Sequence, residues 1–324
     1  MKTSVVIVSY NTKKLLQACL ETVIVQTPRP EVIVVDNGSH DGSPELVEQN
    51  YRAVKLIKNT RNLGFAAANN QAFHEVTGDV IVMLNSDTEL PAPTTLEALA
   101  TQLSQHPEVG VVAPRLINGQ GEVQASVAWT EPTLLTTLYE YTLLNRLLYK
   151  VFASRRYPGK LLLTAAEMAH PQSVGDAIGA CLAFRRTLLT EVGLLDERFF
   201  FFLEETDFNL RVRRAGYKIQ YLPEHEVIHH WGGSVDKAGT LTKRFSHYFP
   251  SLYAFYGKYH SGWYVSTQKA IASIGSATIV GLSGLLLLPG KVSRKYNRSR
   301  LAQVARNQRA LYKQVLDWHV RGSS

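Results

Sequence analysis

VVIVSYN at residues 5–11, VIVVDNGS at 32–39 and VIVMLNSD at 80–87 share one plan, a run of Val and Ile that stops at a cluster of polar residues. Continuous apolar runs of this length suit strands buried on both faces of a parallel sheet, and open α/β sheets bind ligands at the carboxyl ends of such strands. The pattern predicts that Asp36 and Asp87 share one crevice. Between the first two runs Leu15, Leu16, Cys19, Leu20 and Val23 recur at helical spacing. Ser43-Pro44 reads as an N-cap with proline at the first helical position, and Phe65 to Val76 as a helix opening after the turn Asn62-Leu63-Gly64. With Ala53–Lys58 as a further strand, the N-terminal part alternates strand and helix, which predicts an α/β fold with a mostly parallel nucleotide-binding sheet flanked by helices.

The chain has 324 residues, of which 45% are hydrophobic, ample for a core. Its two cysteines, Cys19 and Cys181, lie far apart in apolar surroundings, which argues against a disulfide framework and a cysteine zinc site. The N-terminus is read as a strand, because its apolar stretch is shorter than a signal peptide requires. Net charge is +8, and from residue 291 onward nine cations (Lys291, Arg294, Lys295, Arg298, Arg300, Arg306, Arg309, Lys313, Arg321) face Asp317 alone, so the tail carries the whole excess. Ala270 to Pro289, just before it, has no charged residue. An uncharged segment beside a cationic cluster favours an anionic membrane surface over nucleic acid. Its glycines and serines, and the tendency of Lys and Arg to stay inside, predict a segment lying at the inner face rather than crossing.

In the middle, Leu134–Phe152 is an apolar helical stretch, either a packing helix or a wall for an amphipathic acceptor, followed by basic Arg155, Arg156 and Lys160. GDAIGACLAF (175–184) reads as one buried strand and Glu204 to Ala215 as a helix stopped by Gly216. Four consecutive phenylalanines, 199–202, precede Glu204, Glu205 and Asp207. Carboxylates beside apolar rings are partly desolvated, their pKa rises, and a general base for a hydroxyl needs such tuning. Asp87, in Asn85-Ser86-Asp87, suits a divalent cation, since Mg²⁺ and Mn²⁺ take one or two carboxylates plus substrate phosphates. His225-Glu226-Val227-Ile228-His229 matches the H-E-x-x-H zinc motif. That motif needs a helix, whereas Pro223, Val227 and Ile228 favour a strand, which would hold the histidines about 13 Å apart. A zinc protease is therefore the remote alternative. No G-x-G-x-x-G or P-loop is present, so a nucleotide has to be held by metal and strand-end side chains.

In their order these segments resemble the family 2 glycosyltransferases of the A-type fold, the bacterial rhamnosyltransferase-like branch in particular, over roughly residues 3 to 235. The resemblance implies that Asp36 recognises a pyrimidine base, with Ser9, Tyr10, Asn11 and Asn37 lining the same pocket. Arg61, Asn62, Gly64 and Phe65 resemble the family's turn near the diphosphate. Asn85, Ser86 and Asp87 stand at its metal motif, with Asp87 as the retained ligand. Glu204, Glu205 and Asp207 are similar to its acidic pair ahead of x-D-L, although the second acid of the pair is usually Asp. His229 with Gly232 and Ser234 resembles its late H-x-x-G-x-S signature. Processive members carry Q-x-x-R-W, which this chain lacks. The resemblance thus implies a single inverting transfer from a dTDP- or UDP-sugar, with dTDP-rhamnose the first choice, to a glycan or lipid-linked hydroxyl. Glu205 would act as base, and a divalent metal (Mg²⁺ or Mn²⁺) would sit on Asp87 with His229. A membrane-bound nucleotide-sugar-binding pseudoenzyme or sensor is the non-enzymatic alternative, and a homo-oligomer is left open. The expected domains are 1–255, catalytic, with a nucleotide half to about residue 115 and an acceptor half beyond it, and 256–324, helical and membrane-associating. The expected location is the cytoplasmic face of the cell membrane.

Overall fold

The computed structural model describes residues 1–142, 162–230, 240–286 and 300–321. The basic loop at Arg155, Arg156 and Lys160, the signature residues Gly232 and Ser234, and Lys291, Arg294, Lys295 and Arg298 lie outside them. Each quoted apolar run is a strand: β1 Thr3–Ser9, β2 Glu31–Asp36 and β4 Val80–Asn85, with β3 Lys55–Lys58 at the edge. β1 pairs in parallel with both β2 and β4, and β2 with β3. Side chains alternate across these strands. Val5, Ile7, Val34, Val82 and Leu84 therefore join Leu16, Cys19 and Leu20 of α1 (Lys13–Val23) and Leu96, Leu99 and Leu103 of α4 (Thr95–Gln105) in one core. Val6, Ile33, Val35, Ile81 and Met83 join Ala68, Ala72 and Phe73 of α3 (Phe65–Phe73) and Phe208 and Val212 of α7 (Glu204–Arg214) in the other. Burial on both faces is why these runs carry no polar alternation.

The sheet is more mixed than expected. Beyond β4 come β10 (Cys181–Arg185), β6 (Val109–Ile117), β11 (Lys218–His229) and β5 (Thr88–Glu89), with β8 (Gln172–Val174) also on β11. β10 runs antiparallel to both its neighbours, as do β5 and β8 to β11, while β11 is parallel to β6. GDAIGACLAF is not one strand: Asp176–Ala177 is β9, which pairs with β7 (Val127–Ala128) in a separate ribbon, and the main sheet resumes at Cys181. Gly175, between β8 and β9, has to be glycine, because a Cβ there would lie 2.2 Å from the Trp129 carbonyl oxygen. Helix α2 (Ser43–Asn50) is capped by Gly42 in the left-handed region, not by Ser43, whose amide and hydroxyl both donate to Asp41. A short α6 (Leu188–Glu191) follows β10.

The chain divides into two compact units, 1–131 with 162–238, and 132–161 with 239–324. This division is discontinuous, whereas the expected domains meet at residue 255. The second unit holds α5 (Leu134–Tyr141), α8 (Thr240–Tyr259), α9 (Gly262–Leu286) and α10 (Arg300–Arg321). Aromatic packing explains the grouping. Phe249 of α8 lies 4.7 Å from Trp318 and 4.6 Å from His319 of α10 between ring centroids. Gly275 of α9 passes so near Tyr141 that a Cβ would be 1.8 Å from its carbonyl oxygen. Among the described residues no helix is long and apolar enough to cross a membrane.

Candidate active site

The chain runs from β1 outward to β2 and β3, then returns to place β4 on the other side of β1. The carboxyl ends of β1 and its neighbours thereby open a crevice at a topological switch point. Ser9 is in register with Asp36, and Val8 with Asn85. A buried chain of hydroxyls crosses the crevice floor: Ser9 Oγ lies 2.9 Å from Thr12 Oγ1, which lies 2.9 Å from Ser86 Oγ. Thr12 was not singled out from the sequence, and it joins β1 to the segment carrying Asp87.

Asp36 is 2% exposed. Its Oδ2 accepts the Ser39 amide at 3.0 Å, while Oδ1 is buried without a hydrogen-bond partner among the described residues. A buried acceptor left unpaired costs about 1–3 kcal/mol, a cost that a ligand N–H would remove. Asn11, at φ 53°, accepts from the His40 amide at 2.8 Å and donates its own amide to Ser39 Oγ at 2.9 Å, fixing the pocket rim. Tyr10 is exposed beside it. Asn37 is fully occupied: its amide group donates to Asn62 Oδ1 and the Gly64 carbonyl, and its Oδ1 accepts from Leu63 and Asn59. It braces the turn that carries exposed Arg61.

That turn also fixes the acidic segment. Gly64 sits at φ +90°, and a Cβ on it would lie 2.7 Å from the Phe200 carbonyl oxygen, which accepts the Phe65 amide at 2.7 Å. One turn further along α3, Asn70 brackets Leu195, donating to its carbonyl at 2.9 Å and accepting its amide at 3.1 Å. Asp196 binds Arg198, with a closest approach of 2.6 Å. Phe202 and Leu203, at φ 73° and 72°, then turn the chain into α7 through two successive left-handed residues. Each costs on the order of 1–3 kcal/mol, and such strain persists only where the surroundings over-determine it.

The helix opens with Glu204 and Glu205. Burial, and secondly the charge of Glu205, hold the Glu204 carboxyl well above the usual carboxylate range. Burial, and secondly Asp176, push Glu205 up to about 7. Glu204 Oε2 and Glu205 Oε2 are buried without hydrogen-bond partners among the described residues. Glu205 Oε1 accepts the Gly179 amide at 3.4 Å, and the next residue, Ala180, accepts the Asn85 amide at 2.9 Å. Glu205 is thus tied to the strand end that leads to Asp87. Asp207 is used differently: fully buried, it holds Arg211 at 2.9 Å, and Arg211 in turn grips the carbonyls of Val192, Gly193 and Leu194. Through Arg211 the acid candidate Asp207 is linked to the turn at 192–194.

Asp87 Oδ1 lies 3.5 Å from His229 Nε2, and the residues are 4% and 7% exposed. Gln124 explains the orientation of His229, since its Oε1 lies 2.9 Å from Nδ1 and its amide donates to the His229 carbonyl at 2.8 Å. Held at Nδ1 by Gln124, the ring turns Nε2 toward Asp87, and a hydrogen bond of this kind at the other ring nitrogen is what orients a metal-ligating histidine. Nothing in the sequence marked Gln124. Among the described residues no group of three or more His, Cys, Asp and Glu could hold a metal. A carboxylate and an imidazole this close are donors of the kind that a divalent cation takes alongside substrate phosphates. His225 lies on β11, as its composition predicted, and lines a shallow groove with Thr94, Glu97 and Thr101.

Residues 4–193 match Glycosyl transferase family 2, and the chain belongs to that family. It is 31% identical over 278 residues to the N-acetylglucosaminyl-diphospho-decaprenol L-rhamnosyltransferase of Mycobacterium tuberculosis, covering 80% of this chain and 85% of that protein. It is 29% identical over 170 residues to the poly(ribitol-phosphate) beta-N-acetylglucosaminyltransferase TarS of Staphylococcus aureus, covering 50% of this chain and 28% of TarS. Among solved structures, the fold is similar to that of the mannosyltransferase PcManGT from Pyrobaculum calidifontis in complex with GDP-Man and Mn²⁺. The TM-score is 0.57 at 17% identity, over 100% of this chain and 88% of that one. GalNAc-T7 with UDP, GalNAc and Mn²⁺ gives a TM-score of 0.57 at 16% identity, over 99% of this chain and 56% of that one. The protein is a glycosyltransferase with the A-type α/β fold.

Proposed function

We propose that the enzyme transfers L-rhamnose from dTDP-L-rhamnose, with inversion, to a hydroxyl of a polyprenyl-diphosphate-linked or glycan acceptor. The observation that carries the reaction is the convergence of Asp36, the Asp87–His229 pair and Glu205 on one end of the sheet. The choice of sugar and acceptor rests on the likeness to the mycobacterial rhamnosyltransferase. Asp36 Oδ1 accepts the N3–H of thymine or uracil, whereas cytosine, whose N3 is an acceptor, is repelled. Asp87 and His229 would hold a divalent cation, which when bound would offset the charge of the departing diphosphate. Glu205 takes the proton of the acceptor hydroxyl as its oxygen attacks the anomeric carbon from the face opposite the diphosphate. The bond from that carbon to the diphosphate oxygen breaks, its electron pair leaving with the dTDP. A carboxylate near pH 7 in its affinity for protons is strong enough to assist and still ionised in a large fraction of molecules. The basic tail and the uncharged Ala270–Pro289 support attachment to the cytoplasmic face of an anionic membrane, beside a lipid-linked acceptor.

The test is a donor panel with Mn²⁺ and a polyprenyl-diphosphate N-acetylglucosamine acceptor, with the anomeric configuration of donor and product read by NMR. Transfer from dTDP-rhamnose with inverted configuration is expected, and Asp36→Ala should weaken dTDP binding by about 1–3 kcal/mol. Tighter binding of a GDP-sugar than of any dTDP- or UDP-sugar would overturn the base assignment. Retention of configuration would overturn the role given to Glu205.

A further inference from the structure

Asp176 entered the sequence reading only as a letter in an apolar run, and the reaction above does not use it. It sits on β9, held by the ladder to β7, with Gly175 forced against Trp129 on one side and Gly179 on the other. Every contact of its carboxylate is made to the start of the acidic helix or to its own strand. Oδ2 accepts the Thr206 hydroxyl at 2.7 Å, and Oδ1 accepts the Asn209 amide group at 2.8 Å and the Ala177 amide at 2.9 Å. Asn209 also donates to the Ala177 carbonyl at 2.9 Å. Thr206 and Asn209 lie one turn apart on α7, on the face that flanks Glu205. Three residues after Asp176, the Gly179 amide donates to Glu205 Oε1 at 3.4 Å. The segment 176–179 therefore grips both the helix and the glutamate it presents.

We propose that Asp176 is a positioning residue for Glu205: it locks the first turn of α7 through Thr206 and Asn209 and sets a second carboxylate beside the base. The proposal rests on the reading of Glu205 as the base. Two consecutive left-handed residues leave Phe202–Leu203 under strain at the helix entry, and α7 has no side-chain N-cap. Without a clamp the first turn would relax and carry Glu205 with it. Burial raises the carboxyl of Asp176 to about 6, and Asp176 is the foremost charge acting on Glu205. The other charged groups facing this pair are Glu204, on the same helix, and Arg213, which is itself paired with Glu131.

The experiment compares full-length Asp176→Asn, Thr206→Val and Glu205→Gln with wild type. It uses dTDP-rhamnose, Mn²⁺ and the polyprenyl-diphosphate acceptor, and measures kcat, donor Kd and the pH profile of kcat. Asp176→Asn should lower kcat by roughly 10- to 100-fold, as small misplacements of a reacting group do. Donor Kd should stay within about twofold of wild type, and the acid limb should move to lower pH because a neighbouring negative charge is gone. Thr206→Val, which keeps the charge, should lower kcat several-fold without moving the limb. A wild-type kcat and acid limb in Asp176→Asn, with Glu205→Gln inactive, would overturn this proposal alone. If Asp176→Asn fails to fold, Thr206→Val decides, and an unchanged kcat there overturns the clamp. Near wild-type turnover in Glu205→Gln would overturn the base assignment, and this proposal with it.

Discussion

At the ends of β1 and β2 nearly every polar side chain is answered: Ser9, Thr12 and Ser86 hand hydrogen bonds along a line, and Asn37 fills all its valences within the turn at 59–64. At the start of α7 the chain does the reverse. It enters through two strained residues and presents two glutamates with unpartnered buried oxygens. In the proposed function the first region holds a shape around Asp36 Oδ1, which has no hydrogen-bond partner among the described residues, and the second keeps desolvated carboxyls where a proton is taken up. A binding pocket gains from satisfied groups around a single vacancy, whereas a general base must be kept partly desolvated to be strong enough. The two meet at Gly64 and Phe200, where backbone touches backbone.

The contrast is broken most directly within α7. Glu205→Gln should lower kcat by roughly 10²–10⁴-fold with donor binding retained, since only the proton acceptor is lost. Asp207→Asn, two residues away, should act on stability. Breaking a buried ion pair by removing one partner costs about 3–5 kcal/mol, and here Arg211 would be left among the carbonyls of 192–194 without its counter-ion. Thermal unfolding with parallel kinetics separates the two. A stable but inactive Asp207→Asn enzyme, beside an active Glu205→Gln enzyme, would exchange their roles.

The strand-end region is sharpened through Gln124. Gln124→Leu keeps the volume but removes the acceptor that orients His229, and loss of such an outer partner typically costs 10–100-fold in metal affinity. Mn²⁺ titration followed by electron paramagnetic resonance, in the presence of dTDP, should show that loss with donor selectivity unchanged. Equal Mn²⁺ affinity in mutant and wild type would detach His229 from the metal.

How much of this was legible in the sequence follows from how local each feature is. Ser9, Asp36 and Asp87 could be placed because each ends a continuous Val/Ile run, and a run buried on both faces is visible in one dimension. Asn37 was placed in the same pocket, but its role as a brace depends on Asn59 and Asn62 from another turn. Thr12 acts through a hydroxyl 74 positions away, and Gln124 through a histidine 105 away, so neither has a local signature. Asp176 did leave a trace, an acid between glycines in an apolar run, which marks a break in a strand. The choice between Glu205 and Asp207 turned on Arg211, a helical i,i+4 partner that was readable in principle. The helical unit was read only in part, because α5 is far in sequence from the helices that it joins by tertiary packing.

The smallest expected effect concerns pH and stability. Asp176 at about 6, Glu205 at about 7 and Glu204, which burial holds well above the usual carboxylate range, all hold protons more tightly folded than unfolded. Glu140 in the helical unit, raised by burial to about 7, acts in the same direction. An acid whose folded pKa exceeds its unfolded value of about 4.5 gives stability that is complete below pH 4.5 and is lost as pH rises through the folded value. The wild-type protein should therefore unfold at lower temperature at pH 8 than at pH 5.5. Glu205→Gln cannot ionise there, so it should retain more of its stability, and the gap between mutant and wild type should widen in its favour as pH rises. Each kcal/mol corresponds to about 2–4 °C for a unit of this size, within reach of differential scanning fluorimetry. The strand-end variant Asp36→Asn, which removes a carboxylate bonded to the Ser39 amide, serves as the control. If both variants gained equally at high pH, general charge repulsion would explain the trend, and the cost of ionisation would not be concentrated at the start of α7.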